Sequence, residues 1–495
     1  MNEPFSTLGS RRRFFHNWTS LAGFVIAISS LFAFLLLFAI DIFARGKNPY
    51  MGILAYVVSP FFLVLGTFLV VFGALRHWRR LRKLGPGVAP ETITINFSRA
   101  RDRRTLAAFI TASVLFLLVT AIGSTRTYQY TESVQFCGEA CHTPMKPEFT
   151  TYAHSPHARV ACTECHVGPG ATAYVKSKIN GVRQLYGALT ETFDRPIKTP
   201  VKNLRPAQDT CEHCHWPQRF VGNLDRTYSH FLADETNTQF TVRLLLKVGG
   251  GDATHGPVGG IHWHMNLLNR VEYIATDEQR EVIPWVRVTS ANGDVMIYRT
   301  AEFKENSSKY PIRVMDCMDC HNRPAHHFSP PNEAVDLAMT MGRINPALPW
   351  IKSNIVSVLT QPYATQREAV QNIDAVLREK YPRYPAIGGV ISEVKQIYEE
   401  NFFPEMKADW RAYPNHISHK EWSGCFRCHD GKHKSPDGKQ SIRATDCNAC
   451  HVILAQGNGE QLHQLKPQGQ PFFHIDAEYS DFSCKQCHTG AFPKE

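Results

Sequence analysis

Cys162-Thr163-Glu164-Cys165-His166 returns five more times with its two inner residues changed. The copies are Cys211-Glu212-His213-Cys214-His215, Cys317-Met318-Asp319-Cys320-His321, Cys425-Phe426-Arg427-Cys428-His429, Cys447-Asn448-Ala449-Cys450-His451 and Cys484-Lys485-Gln486-Cys487-His488. A seventh, Cys137-Gly138-Glu139-Ala140-Cys141-His142, holds one extra residue between its cysteines. The seven motifs use all fourteen cysteines of the 495-residue chain, and none lies before Cys137.

This spacing has a chemical reason. Two thiols bond to the two vinyl groups of one porphyrin, and the adjacent histidine then lies under the iron. A chance copy is expected in roughly one such chain in fifty, so six are no accident. Seven disulfides would need no fixed spacing. Zinc sites and thioredoxin-like pairs use C-x-x-C but have no need of a histidine directly after it each time. Seven covalently bound haem c groups are expected, with His142, His166, His215, His321, His429, His451 and His488 as proximal ligands.

Second ligands are then a matter of supply. Setting aside the seven motif histidines and His16 and His77, fourteen of the twenty-three histidines remain: His154, His157, His213, His230, His255, His262, His264, His326, His327, His416, His419, His433, His463 and His474. That is twice the number needed, so most irons can be bis-histidine, which suits electron transfer and leaves no open site. His262 and His264, in Gly-Ile-His-Trp-His-Met, alternate with strand period. Both would face one side, which leaves open that only one of them binds iron.

The net charge of +10 is not spread over the chain. Residues up to Ser124 carry fourteen Lys/Arg against four Asp/Glu, which accounts for all of it. A nucleic-acid surface is therefore not indicated. The basic residues flank three uncharged runs, Leu21 to Ile40, Met51 to Leu75 and Thr105 to Thr125, each long enough to cross the roughly 30 Å hydrocarbon layer as a helix. A cleaved signal peptide fits less well, because the first run exceeds the usual apolar region and no small-x-small site precedes Arg45. Three basic residues in the N-terminal tail and nine between Leu75 and Thr105 face three in the other connections. The tail and the long connection are thus expected in the cytoplasm, and Tyr128 onward in the bacterial periplasm.

The expected fold is three N-terminal transmembrane α-helices plus a cofactor-organised, mainly α/irregular multihaem cytochrome c domain with a small antiparallel β insertion. Its porphyrins would make much of the apolar core. The expected divisions are a membrane anchor (1–126), the first three haems (127–235), the β insertion (236–303), a fourth-haem segment (304–345), a helical spacer (346–403) and the last three haems (404–495). Phe240 to Val248, Val271 to Ala275, Val282 to Val288 and Val295 to Tyr298 read as strands, with Gly249-Gly-Gly-Asp and Ala291-Asn-Gly-Asp as turns. Helical patterning returns from Asn332 to Phe403.

The run from the third apolar stretch through Phe136-Cys-Gly-Glu-Ala-Cys-His-Thr-Pro-Met-Lys-Pro-Glu-Phe, His154-Ser-Pro-His-Ala-Arg-Val-Ala-Cys-Thr-Glu-Cys-His and Thr210-Cys-Glu-His-Cys-His-Trp-Pro resembles the NapC/NirT family of membrane-anchored multihaem cytochromes c. Cys317 to Phe328 is similar to that family's fourth-haem segment. Three membrane helices and seven haems depart from the family's usual one and four. They resemble more closely the larger seven-haem inner-membrane cytochromes of metal-reducing bacteria, the ImcH type. This resemblance implies menaquinol oxidation feeding soluble periplasmic c-type cytochromes. It favours His326, His419 and His433 as distal ligands, with His157, His230, His262 and His264 behind them. It also implies a quinol site near a lysine and an acid where the first haem meets the membrane, for which Met145, Lys146, Lys176, Lys178 and Asp194 are the candidates. Met145 is also a candidate ligand of the first iron, although it lies one residue further on than the family's methionine. Two other readings compete. One is a terminal periplasmic reductase, for nitrite or another small acceptor, with one five-coordinate haem. The other is an anchor that wires a separate reductase subunit.

Overall fold

The computed structural model describes residues 17–43, 58–84, 96–140, 142–168, 171–201, 204–250, 259–266, 268–304, 307–443, 447–475 and 484–491. Cys141 and the side chains of His142, Lys178 and Cys447 lie outside the described residues. The chain forms two units, Met1–Ser133 with Val167–Arg183, and Val134–His166 with Gln184–Glu495.

In the first unit, α1 (Trp18–Phe43) packs along α2 (Ser59–Leu84), and α3 (Ala100–Thr131) follows. Small residues let the first two backbones touch. A Cβ on Gly23 would lie 2.6 Å from the Gly66 carbonyl oxygen, and one on Gly66 would lie 2.6 Å from the Ala27 nitrogen. Ser20 Oγ donates to the Val70 carbonyl at 3.0 Å, a bond between the two helices. Trp18 stands 5.8 Å from the Phe109 ring of α3. Outward, Phe24, Phe32, Phe61, Val64 and Phe68 are exposed, the face that hydrocarbon would cover. Two helices among the described residues, over Trp18–Leu35 and Ser59–Arg80, are long and apolar enough to cross a membrane, where three were expected. The third run, Thr105 to Thr125, lies inside α3, and the side chains of 120–125 are outside the described residues.

The second unit contains α4 (His142–Ala153), α5 (Cys162–His166) and two antiparallel sheets. One sheet has the order β1-β2-β7, from Leu224–Phe231, Gln239–Leu246 and His451–Gly457. The other runs β5-β4-β3-β6, from Val295–Arg299, Trp285–Thr289, Arg270–Ile274 and Arg313–Val314. The four strands read from the sequence are present, but the β structure is larger than one insertion. It takes in β1 before it and β6 and β7 well after it, and β7 begins on the motif residue His451, which pairs with Leu246.

Between the fourth and fifth motifs, α7 (Pro331–Thr340), α8 (Ile351–Leu359), α9 (Gln366–Lys380) and α10 (Ile387–Asn401) enclose a mostly aliphatic core that extends to Phe231, Phe328, Phe402, Phe403, Trp410 and Tyr413. The helix α6 (Ala171–Leu189) precedes them in the chain. Ile351, Ile355 and Leu359 on α8, Ile373 and Leu377 on α9, and Ile391 and Val394 on α10 recur at three- and four-residue steps and are buried. α9 starts where the Thr365 side chain accepts from the Glu368 N–H, the Thr-x-x-Glu signature of a helix start. Porphyrins are thus not needed to fill the centre of this part. A buried ion pair, Lys352 Nζ to Asp336 Oδ1 at 2.5 Å, ties α8 to α7, and Asp336 also accepts from the Phe231 N–H of β1 at 3.0 Å.

Gly66→Leu is expected to drive α1 and α2 apart, at about 1–3 kcal/mol for an overpacked contact. Thermal unfolding in detergent should therefore start at a lower temperature in this variant. Gly181→Ala, where a Cβ meets nothing within 4 Å, should not lower it.

Candidate haem sites

Each motif is wound into one tight turn. In the third to seventh it is a 3₁₀ turn, over Cys211–His213, Cys317–Asp319, Gly424–Arg427, Cys447–Ala449 and Cys484–Gln486. Three residues per turn bring cysteines three apart to one side. The motif histidine's N–H then bonds back to the first cysteine's carbonyl, at 2.8 Å for His215, His321 and His488 and 3.0 Å for His429. The second motif makes the same step as the single helical turn α5. In the first, Phe136–Ala140 form a π-helical turn, whose wider loop takes up the extra residue.

Six motif imidazoles face an imidazole from elsewhere in the chain. Ring centres are 6.2 Å apart for His166 and His326, 6.1 Å for His215 and His157, and 6.2 Å for His321 and His262. They are 5.9 Å apart for His429 and His264, 6.3 Å for His451 and His419, and 6.1 Å for His488 and His474. Two imidazoles on opposite sides of one metal, each through a nitrogen about 2 Å from it, have ring centres about 6 Å apart. The spacing and the donor set, two thiols beside two imidazoles, fit haem iron.

Four of the opposing rings are held in the form an iron needs. Nδ1 of His262, His264 and His326 lies 2.9 Å from the carbonyls of Val248, Ile261 and Glu148, and Nδ1 of His157 lies 3.1 Å from that of Pro324. A carbonyl only accepts, so Nδ1 carries the proton and Nε2 keeps its lone pair. Burial is the main cause that lowers the pKa of His166, His262, His264, His321, His326, His419, His429 and His451, and it takes His488 down to about 4. The rings therefore stay neutral and able to bind metal.

His262 and His264 do not lie on a strand. Ile261–Met265 is a 3₁₀ turn, in which residues two apart point to different sides, so one ring faces His321 and the other His429. Gly250 makes this possible. It has φ +98°, and a Cβ there would lie 2.1 Å from the His262 carbonyl carbon.

The motifs follow one another closely. The Cys137 side chain lies beside the Cys162 thiol and lowers its pKa. The Cys165 thiol is raised first by burial and then by the charge of Cys211, with Cys214 adding to it. Cys317 is raised likewise by burial and by Cys211, and Cys320 by burial and by Cys425. The His419 ring, which faces the sixth motif, stacks at 4.5 Å on Phe426 inside the fifth. Lys485 of the seventh motif donates to Ser423 Oγ at 2.5 Å, just before the fifth.

One expected ligand is corrected. His433 is buried with both ring nitrogens engaged, Nδ1 at 2.8 Å from Asp430 Oδ1 and Nε2 donating to the Ile283 carbonyl at 2.6 Å, so neither is left for iron. His230 turns Nδ1 to Asp336 Oδ2 at 3.2 Å, and the imidazole opposite His488 is that of His474. His474 was among the fourteen available histidines but not among those singled out. Its one legible sign is that it is the last histidine before the seventh motif.

The quinol-site candidates Lys146 and Asp194 each have a partner of their own. Lys146 Nζ donates to Gln366 Oε1 at 2.5 Å, at the start of α9. Asp194 is exposed and 3.7 Å from Lys198, and Lys176 is exposed. Met145 is half-buried on α4, three residues after His142.

Cysteine-histidine turns closed by second imidazoles, in a chain that also bears apolar membrane-length helices, define a membrane-attached multihaem cytochrome c of electron transfer. The chain belongs to the NapC/NirT cytochrome c family: the model of that family's N-terminal region matches residues 99–209. It is 40% identical over 501 residues to the cytochrome c-type protein ImcH of Geobacter sulfurreducens, covering 98% of this chain and 97% of that one. It is 24% identical over 158 residues to the cytochrome c-type protein NapC of Haemophilus influenzae, covering 28% of this chain and 78% of that one. No solved structure matches.

His326→Ala should turn one low-spin ferric haem high-spin, read by electron paramagnetic resonance. His433→Ala should add no high-spin signal, yet lower stability by about 1–3 kcal/mol because the Ile283 carbonyl loses its buried donor.

Proposed function

We propose that this chain oxidises menaquinol at the inner membrane and passes the electrons to soluble periplasmic c-type cytochromes. The observation that carries this reading is the closure of six motif imidazoles by second imidazoles about 6 Å away, a spacing that suits electron transfer and leaves those sites no room for substrate. The near-full-length similarity to ImcH supports it. It also disfavours a terminal reductase, which needs an open position at iron.

Seven covalently attached haems would supply one-electron steps. The polypeptide's part is to hold and insulate them. Nδ1–H bonds to carbonyls orient the rings of His157, His262, His264 and His326, burial keeps most of the paired rings neutral, and His419 and His474 complete two further sites. Three membrane crossings, the third within α3, would put the N-terminal tail in the cytoplasm and the haem-bearing part in the periplasm. α3 supports this with Ile110, Val114, Leu115 and Leu118, which are exposed and apolar.

Each menaquinol would give up two protons and two electrons and leave as menaquinone, and two ferric carrier cytochromes would each take one electron. The first motif, with its π-helical turn and with Met145 one helical turn beyond His142, is where quinol would react. Lys146, Lys176, Lys178 or Asp194 would take up protons there. A carrier with a basic face would dock best, because haem propionates make the otherwise neutral periplasmic part acidic.

Detergent-solubilised protein should be reduced by a menaquinol analogue, and the spectrum should show seven haems per chain. Substituting the proton-accepting group, by Lys146→Met, Lys176→Met, Lys178→Met or Asp194→Asn, should slow reduction at least about a hundredfold. Unchanged rates in all four variants would dismiss this quinol site.

A further inference from the structure

The fourth and fifth motifs are latched together by their own inner residues. Asp319, between Cys317 and Cys320, is buried, and its Oδ1 accepts from Tyr273 Oη at 2.6 Å, Arg313 Nε at 2.7 Å and Arg280 Nη1 at 2.9 Å. Its Oδ2 accepts from the Asp316 N–H at 2.8 Å. On the other side, the Asp319 carbonyl accepts from Nη2 of Arg427, the inner residue of the fifth motif, at 2.6 Å. Arg427 is buried too, and spends its other donors on the carbonyls of Arg280 and Gly424, both at 2.9 Å. A buried path of hydrogen bonds thus runs from one motif to the other, through the Asp319 carbonyl and the Arg427 guanidinium.

The second half of the latch is the loop between β3 and β4. Arg280 stands there with φ +61°, a left-handed conformation that an L-residue adopts only when its surroundings hold it. Asp277 braces the loop by accepting from the N–H groups of Glu281 and Val282. From this one loop, Arg280 reaches Asp319, Glu281 lies 3.1 Å from His416 Nε2, and the Ile283 carbonyl receives His433. His416 in turn gives its Nδ1 proton to the Asp319 carbonyl at 3.1 Å. Two buried histidines outside the motifs, His416 and His433, thus bear on the latch. On the opposite side of the same junction, the turn His262-Trp263-His264 supplies one ring to each motif.

We propose that Asp319 and Arg427 are positioning residues that fix the fourth haem site against the fifth, so that the two conduct and respond as one unit. Hydrogen-bonded outer residues set ligand orientation and potential at metal sites, and here the same residues belong to two sites at once. The polypeptide would join them through buried charges and not through loose contact of two haem-bearing segments. The kinetic arm of the test rests on the proposed quinol reading; the magnetic arm does not.

Arg427→Leu, Asp319→Asn and the conservative Arg427→Lys would be prepared as full-length holoprotein, with haem per chain checked by mass spectrometry. In the wild type, the ferric protein should show spin coupling between neighbouring low-spin haems by electron paramagnetic resonance. Arg427→Leu and Asp319→Asn, with full haem content, should weaken that coupling and shift part of the potentiometric titration, while Arg427→Lys keeps most of it. With a menaquinol analogue, reduction should split into a phase at the wild-type rate and one slower by about tenfold. If Arg427→Leu does not mature, Asp319→Asn, which keeps the side chain's shape, decides the matter. Superimposable resonance spectra and potentiometric curves in Asp319→Asn and the wild type would overturn the proposal. A wild-type protein that the analogue fails to reduce would instead overturn the quinol reading and leave the magnetic comparison standing.

Discussion

Two imidazoles about 6 Å apart, one beside a pair of cysteines and the other from a different part of the chain, form the constraint around which the second unit is arranged. His166 is met by His326 and His451 by His419, so the chain must double back on itself to close each site. That requirement explains why the motif-bearing segments are short turns and extended stretches instead of layers. It also explains why the sheet β1-β2-β7 joins residues more than two hundred positions apart, with a motif histidine at the start of its third strand. Because the paired rings cannot be brought together in an unfolded chain, cofactor binding and folding are coupled in these segments.

The parts of this arrangement written locally were legible in the sequence. The motifs, the apolar runs, the four strands between Gln239 and Arg299 and the helices after Pro331 all follow from spacing and periodicity within a dozen residues. Partner choice for the histidines does not. His433 and His474 are both histidines near the C-terminal motifs, and only tertiary contact turns one toward Ile283 and the other toward His488. The error over His262 and His264 has a local cause. Their alternation reads as a strand, but Gly250 lets another segment press against His262, and the chain there turns through a 3₁₀ coil that separates the two rings. β1 was missed because most of its side chains are exposed and polar, as suits a sheet edge, and leave no alternating pattern to read.

The first motif differs from the rest in the way its extra residue is accommodated. A widened helical turn, Phe136–Ala140, lies just before α4 and accommodates it. π-helical turns of this kind are retained mostly where function needs them. Here the departure falls on the motif where quinol is proposed to react.

The bundle of α7 to α10 is a contiguous run of about seventy residues whose interior is mostly isoleucine, leucine, valine and alanine and holds no cysteine. Its interior is filled by its own and neighbouring side chains, so its packing asks nothing of a bound tetrapyrrole. When haem is scarce, the expected outcome is a half-built molecule with an ordered middle and unfinished ends, a distinct target for proteases.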